Sequence, residues 1–311
     1  MRKAFFRSLL ETIGRRAGKV QKRISPTVCV RLSPTSRKRH HSLSQESTLN
    51  RRISIAILLI AGPLAIAAVA ASAAGVEHEG ATPQSNIPKY IVDAVNSPAR
   101  PAADRQLDPS RNPEQMLAFF GIKPGMKVAD LWAGGGYTTE LLARTVGSGG
   151  KVYSQNMEFP ESFKKAAEMW QARVKEPGLA NVVEITKPFD SPDLLPVPPG
   201  SLDAVIVNMN YHDMVGRGFN RDNVNHAVLT ALKPGGIYGL VDNSARPGTG
   251  ASEANTLHRI DENFETGEIE KAGFRLTATS DVLRNPNDPR TQPFWKINHT
   301  QDRFVLKFVK P

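Results

Sequence analysis

The stretch Lys127-Val128-Ala129-Asp130-Leu131-Trp132-Ala133-Gly134-Gly135-Gly136-Tyr137 constrains this chain more than any other. Its first residues read as a buried strand, since they are apolar apart from the leading lysine and one acid. Three glycines follow, and Thr138-Thr139-Glu140-Leu141-Leu142-Ala143 then reads as a helix start. A strand, a glycine turn and a helix in quick succession imply an α/β unit whose helix packs back on the sheet. Glycines at such a turn let the backbone approach a ligand closely, and the helix N-terminus offers unpaired N–H groups. Asp130, at the end of the strand, adds a place for a polar cofactor group. The pattern points to a nucleotide-type cofactor and leaves its identity to the rest of the chain.

From about residue 114 the chain alternates between the two periodicities. Helices are predicted over 114–120, 137–146, 162–174, 223–232 and 262–272. Strands are predicted over 126–131, 150–155, 182–186, 202–207, 237–241, 274–281 and 303–308. Such alternation implies a doubly wound, mostly parallel sheet of seven strands covered on both faces. The final two strands follow one another without a helix between them, so the last is expected to be antiparallel.

Net charge distinguishes the leader from the body. The whole chain carries +10, but residues 1–52 hold 14 Lys/Arg against two acids, leaving the remainder at −2. The body therefore gives no reason to expect a nucleic-acid partner. The single cysteine, Cys29, lies in the leader, so the body has no disulfide and no thiol nucleophile. Residues 1–50 lack periodicity and read as a disordered basic leader. Arg51-Arg52, an apolar run over 53–75 and its small-residue end form the three parts of a secretory signal peptide. A membrane anchor is the alternative, because about 20 apolar residues can span a bilayer. The protein is thus expected to be exported to the periplasm or held at the membrane. Residues 76–113 are rich in proline and charge, reading either as a linker or as an arm folded over the cofactor site.

Two cofactor classes use a glycine turn after a first strand. A dinucleotide fold wants G-x-G-x-x-G, and Thr139 stands where its third glycine would be. The remaining motifs are Val128-Ala129-Asp130 through Gly136, Lys151-Val152-Tyr153, Phe189-Asp190, Gly200-Ser201-Leu202-Asp203-Ala204-Val205-Ile206 and Leu232-Lys233-Pro234-Gly235-Gly236. In this order they resemble the class I S-adenosylmethionine-dependent methyltransferases, from about residue 113 to the C-terminus. The tail, with His258-Arg259-Ile260-Asp261-Glu262-Asn263, Leu283-Arg284-Asn285-Pro286 and Asp302-Arg303-Phe304-Val305, looks like that of a group of bacterial predicted methyltransferases that often carry export signals.

The resemblance implies S-adenosylmethionine as cofactor and a small-molecule methyl acceptor. It implies that Asp130, Gly134, Gly135, Gly136 and Tyr137 hold the methionine end, Asn156 the ribose and Asp190 the adenine amino group, while Asn208 and Met209 line the pocket towards the acceptor. Two positions depart from the usual pattern. Trp132 replaces the first glycine of D-x-G-x-G-x-G, and Asn156 replaces an acid. They keep open a second reading, a non-catalytic cofactor-binding domain of the same fold. An NAD-dependent oxidoreductase is the third.

On the acceptor side, Tyr211-His212-Asp213 follows the fourth predicted strand. His212 is the candidate base, because neutral imidazole is available near pH 7. Tyr211 would orient the acceptor and Asp213 would fix the imidazole. The alternative is that His212 packs locally. His258 and Arg259 are candidate substrate contacts, and Asp261 is a candidate helix cap. His212, Asp213, His258 and Asp261 would bind a metal only on converging, and their spacing matches no recognised metal motif, so no metal is assigned. His226 reads as surface or packing, and Phe163 and Trp170 as one apolar helix face.

Overall fold

A computed structural model describes residues 75–80 and 86–311. The basic leader, Cys29 and the apolar run as far as residue 74 lie outside them. Among the described residues no helix is long and apolar enough to cross a membrane.

Eight strands form one sheet. They are β1 (Glu77–Glu79), β2 (Lys127–Leu131), β3 (Lys151–Asn156), β4 (Val182–Thr186), β5 (Leu202–Asn208), β6 (Leu232–Asn243), β7 (Arg275–Ser280) and β8 (Arg303–Val309). Their order is β1-β7-β8-β6-β5-β2-β3-β4. The β2 strand pairs in parallel with both β3 and β5, and β5 in parallel with β6. The last strand, β8, runs antiparallel to both β6 and β7. This is the expected doubly wound sheet, with one strand more than predicted. The extra strand, β1, pairs in parallel with β7 at the sheet edge, and the imidazole of His78 bonds Thr279 and Asp281, both at 2.8 Å.

Successive residues of β5 show why the sheet is covered on both sides. Val205 and Val207 enter one core with Met214, Val224 and Ile269, whereas Ala204 and Ile206 enter the other with Ile91, Leu117 and Leu141. Side chains alternate across a strand, so a continuous apolar run must bury both faces. Each fully buried Val, Leu or Ile contributes roughly 1.5–3 kcal/mol.

The proline-rich segment folds into α1 (Lys89–Val95), α2 (Ala102–Arg105) and α3 (Asp108–Arg111), and Pro113 then opens α4 (Pro113–Phe119). This segment packs on α5 (Tyr137–Val146), the helix after the glycine turn. Arg100 is buried and donates to Asp108 at 2.7 and 2.9 Å. Asp104 pairs with Arg173 of α6 (Lys164–Arg173) at 2.7 Å, and Arg173 in turn meets Glu140 at 2.5 Å. The charges that suggested a solvated linker are thus spent on one another.

One expectation fails locally. Trp170 is buried, but Phe163 is 41% exposed. Phe163 lies in a 3₁₀ turn preceding α6, so helical periodicity does not carry through it. The remaining helices are α7 (Tyr211–Gly216), α8 (Arg221–Ala231), α9 (Ala254–Leu257) and α10 (Glu262–Lys271). His226 of α8 is exposed.

Candidate functional site

Strand order reverses between β2 and β5: β3 and β4 lie on one side, β6 on the other. In an open α/β sheet the crevice for ligands lies beyond the C-terminal strand ends at this point. Both expected halves of the site stand there, one following each strand.

The turn after β2 is held from β3. Gln155 accepts a hydrogen bond from the Trp132 N–H at 3.0 Å, and its amide donates to the Lys187 carbonyl at 2.6 Å. The side-chain oxygen of Asn156 accepts from the Gly134 N–H at 2.8 Å. Asn156, expected at the ribose, is therefore turned inward onto the turn itself. Trp132 has φ of +56°, a left-handed conformation that an L side chain adopts at a cost of about 1–2 kcal/mol. Trp132 thus keeps a backbone suited to the glycine it replaces. Its ring lies 5.0 Å from Phe189 and 6.0 Å from Phe219, and the Arg217 guanidinium stands 5.2 Å from its centroid. These contacts help offset the strain.

The two outer glycines of the turn do different work. A Cβ on Gly136 would lie 2.7 Å from the Trp170 ring and 2.8 Å from Arg173. A Cβ on Gly134 would meet nothing within 4 Å. Gly136 therefore allows α6 to close on the turn, and Gly134 leaves open space. No side chain caps α5, which leaves its N-terminus suited to a ligand's negative group. Asp130 lies beneath. It accepts from the Thr139 hydroxyl at 2.6 Å, and Thr139 also bonds Ser154 at 2.9 Å. Burial pushes the Asp130 carboxyl up to about 7, against the hydrogen bonds from Thr139. The position of a dinucleotide fold's third glycine is thus filled by a buried hydroxyl that pins α5 to the sheet. Tyr137 donates to Asp108 at 2.7 Å, with Arg111 4.3 Å from its ring centroid. Asp190 is exposed and accepts from the Asn220 N–H.

The loop after β5 is tied to the same turn. Asn210 donates to the Trp132 carbonyl at 2.9 Å, and Asn208 to the Thr138 hydroxyl at 3.0 Å. Between them Met209 has φ of +61°. Left-handed backbone at Trp132 and at Met209 brackets the crevice, a concentration of strain typical of functional sites.

The acceptor-side residues converge, but in an order the sequence did not suggest. His212 is 1% exposed, and its Nδ1 lies 2.5 Å from Asp242. Asp242 also accepts from the His212 N–H at 2.8 Å. The imidazole that Asp213 holds is that of His258, at 3.0 Å. His258 stands edge-on to His212 at 5.4 Å and to Trp295 at 4.9 Å, and has φ of +52°. Burial disfavours a charged His212, but the charge and hydrogen bond of Asp242, with Asp213 behind, outweigh it and raise its pKa. Neutral imidazole at pH 7, the ground for choosing His212 as base, is thereby made scarcer. Burial opposes the charge on Asp213 too. The hydrogen bond from His258 and the charges of His212, His258 and Arg217 prevail and hold it below the usual carboxylate range.

Two expected participants, Tyr211 and Arg259, are engaged elsewhere, while Asp261 has its expected place as a helix cap. The buried Tyr211 donates to Glu268 at 3.1 Å and accepts from Asn225 at 3.0 Å, facing the core. Arg259 is wholly buried, paired with Asp288 at 2.8 Å and donating to the carbonyls of Gln292 and Ser244. Asp261 caps α10, accepting from the Asn263 N–H at 3.0 Å. Sequence reasoning missed Asp242. It lies near the end of β6, 30 residues from His212, and only strand adjacency brings the two together.

No protein-family model matches the chain. Over 71 residues it is 37% identical to a protein-L-isoaspartate O-methyltransferase of Aeropyrum pernix. That match spans 23% of this chain and a quarter of the relative's length. Among solved structures, a SAM-dependent methyltransferase from Aquifex aeolicus has a TM-score of 0.47 at 21% identity, covering 68% of this chain and 98% of its own. A geranyl diphosphate methyltransferase solved with SAM gives 0.49 at 15% identity, covering 71% and 95%. Likeness at this level decides neither activity nor acceptor, which rest on the chain's own residues.

Proposed function

We propose that this protein transfers a methyl group from S-adenosylmethionine to a small-molecule acceptor. The observation that carries the reading is a juxtaposition. An open glycine turn and an acid–imidazole cluster stand at the C-terminal ends of β2 and β5, where the sheet reverses order. The cofactor, when bound, supplies a methyl group activated by a positive sulfur. The backbone around Gly134 and the N-terminus of α5 hold its methionine end. Asp190 receives the adenine amino group, and Asn208 lies between cofactor and acceptor. Asp213 and His258, partly exposed, bind and orient the acceptor, and His212 is fixed behind them by Asp242. Such a transfer depends mainly on alignment, to which well-held groups contribute most. The near-neutral body supports a small acceptor over a polyanion, and the apolar run over 53–75 supports export or anchoring.

Calorimetric titration of the full chain with S-adenosylmethionine, S-adenosylhomocysteine and NAD tests the reading. Binding of both methionine derivatives and not NAD is expected. Failure of both to bind overturns it. Trp132 and the inward-turned Asn156 favour one second reading, a domain that binds the cofactor without using it. Cofactor binding with no methyl transfer to any member of a broad acceptor panel would support that reading instead.

A further inference from the structure

The cluster on the acceptor side holds a nitrogen with no assigned work. His212 Nε2 is buried and has no hydrogen-bond partner among the described residues. Its nearest acid, Asp213, is 3.6 Å away, beyond hydrogen-bonding distance. A buried polar atom left unpaired costs about 1–3 kcal/mol, so such an atom calls for an explanation. This one is aimed at two further groups of metal-binding type. One ligand atom each from His212, Asp213 and His258 all lie within 4.8 Å of one another.

The geometry points to a divalent transition-metal site, of the zinc class, made by His212 Nε2, Asp213 and His258. Two imidazoles and a carboxylate are a donor set such ions favour over magnesium or calcium. Ligands around a tetrahedral ion, at roughly 2.0–2.2 Å from it, lie about 3.4 Å apart, so modest side-chain rotation closes the set. The two remaining requirements are also present. Asp242 bonds His212 Nδ1 at 2.5 Å, fixing the ring so that Nε2 faces inward, as a carboxylate behind a metal-bound histidine does. Asp213 and His258 keep 21% and 30% side-chain exposure, leaving a route for the ion and for a fourth ligand. The left-handed backbone at His258, which brings its ring to the other two, is strain that a ligand-holding role accounts for.

The proposed role rests on the methyl-transfer reading, although metal binding itself does not. The acceptor's oxygen, nitrogen or sulfur becomes the fourth ligand. The ion would lower that atom's pKa so that its proton passes to water, and the freed lone pair would form the new bond to the methyl carbon as the methyl–sulfur bond breaks and S-adenosylhomocysteine leaves.

The test uses the full chain, stripped with chelator and titrated with Zn²⁺, with bound metal counted after gel filtration and visible absorption recorded on the Co²⁺-loaded protein. One retained equivalent and a tetrahedral Co²⁺ spectrum are expected. His258→Ala and Asp213→Asn, both at partly exposed positions, should each weaken Zn²⁺ binding at least tenfold while the stripped variants keep the wild-type circular-dichroism spectrum. Equal retention by both variants would place the metal elsewhere in the chain, and no retention by the wild type would exclude the site; either result overturns the inference. Binding of S-adenosylmethionine to the stripped wild type, measured in parallel, separates the two ideas. If the cofactor binds and zinc does not, the metal inference alone fails. If zinc binds and the cofactor does not, the methyltransferase reading fails.

Discussion

The loops following β2 and β5 share one crevice and are built by opposite means. The turn after β2 is held by uncharged hydrogen bonds, from backbone N–H groups to the side-chain oxygens of Gln155 and Asn156 and from Thr139 to a carboxyl that burial tends to keep protonated. The region after β5 is held by charge, with Asp242, His212, Asp213 and His258 in series. The first is suited to a ligand that brings its own charge, since no side chain caps the N–H groups at the start of α5. The second already contains opposed charges and an unpaired nitrogen, and is suited to a cation or a polar reactant. The crevice thus divides into a preformed cradle and a reactive pole.

This division is open to mutation. The largest effect is expected on the charged side. Asp242→Ala leaves His212 buried without its main partner and should cost about 3–5 kcal/mol, read by urea unfolding. A loss under about 1 kcal/mol would mean that the imidazole is not held by charge. On the uncharged side the largest effect belongs to Gly136. Gly136→Ala combines φ of +85° with a Cβ 2.7 Å from the buried Trp170 ring. It should cost about 2–4 kcal/mol, and a neutral result would show that α6 does not close on the turn as described.

A pH series separates the two regions again. Asp130 has its pKa raised from 3.8 to about 7 by burial. For a carboxyl raised on folding, the stability it contributes is full below the unfolded value and is lost as pH rises through the folded one. The wild type should therefore lose stability relative to Asp130→Asn between pH 4 and 7, by up to about 4 kcal/mol. A constant gap across that range would show that Asp130 is not kept from ionising. The smallest effect on folding is expected at Gly134. Gly134→Ala meets no atom but retains φ of +57°. About 1 kcal/mol is expected in Tm or denaturant midpoint, and a larger loss would mean that its space is not open.

The same contrast explains what the amino-acid sequence revealed. The cradle lies in one short stretch, so its strand, glycines and helix could be read in order, and the alternation of strands and helices announced a sheet covered on both faces. The pole is assembled from residues 212, 213, 242 and 258, carried by a helix, a neighbouring strand and a left-handed turn. No periodicity links Asp242 to His212, so the imidazole partners could not be assigned correctly. Tyr211, His212 and Asp213 are adjacent in sequence, but the first turn of α7 sends Tyr211 to the core and the other two towards His258. The folding of residues 89–111 depends equally on distant partners, Arg173 and Tyr137, so their proline and charge content alone left a linker and a folded arm both open.

The central claim is that cofactor binding belongs to the Gly134 cradle and not to the charged pole. Calorimetric titration of S-adenosylmethionine into the wild type, Gly134→Ala and His258→Ala tests it most directly. The account predicts equal affinity for the wild type and His258→Ala, with affinity lowered about tenfold or more in Gly134→Ala, or about 1.4 kcal/mol. Loss of affinity in His258→Ala equal to that in Gly134→Ala, or no binding by the wild type, would contradict it.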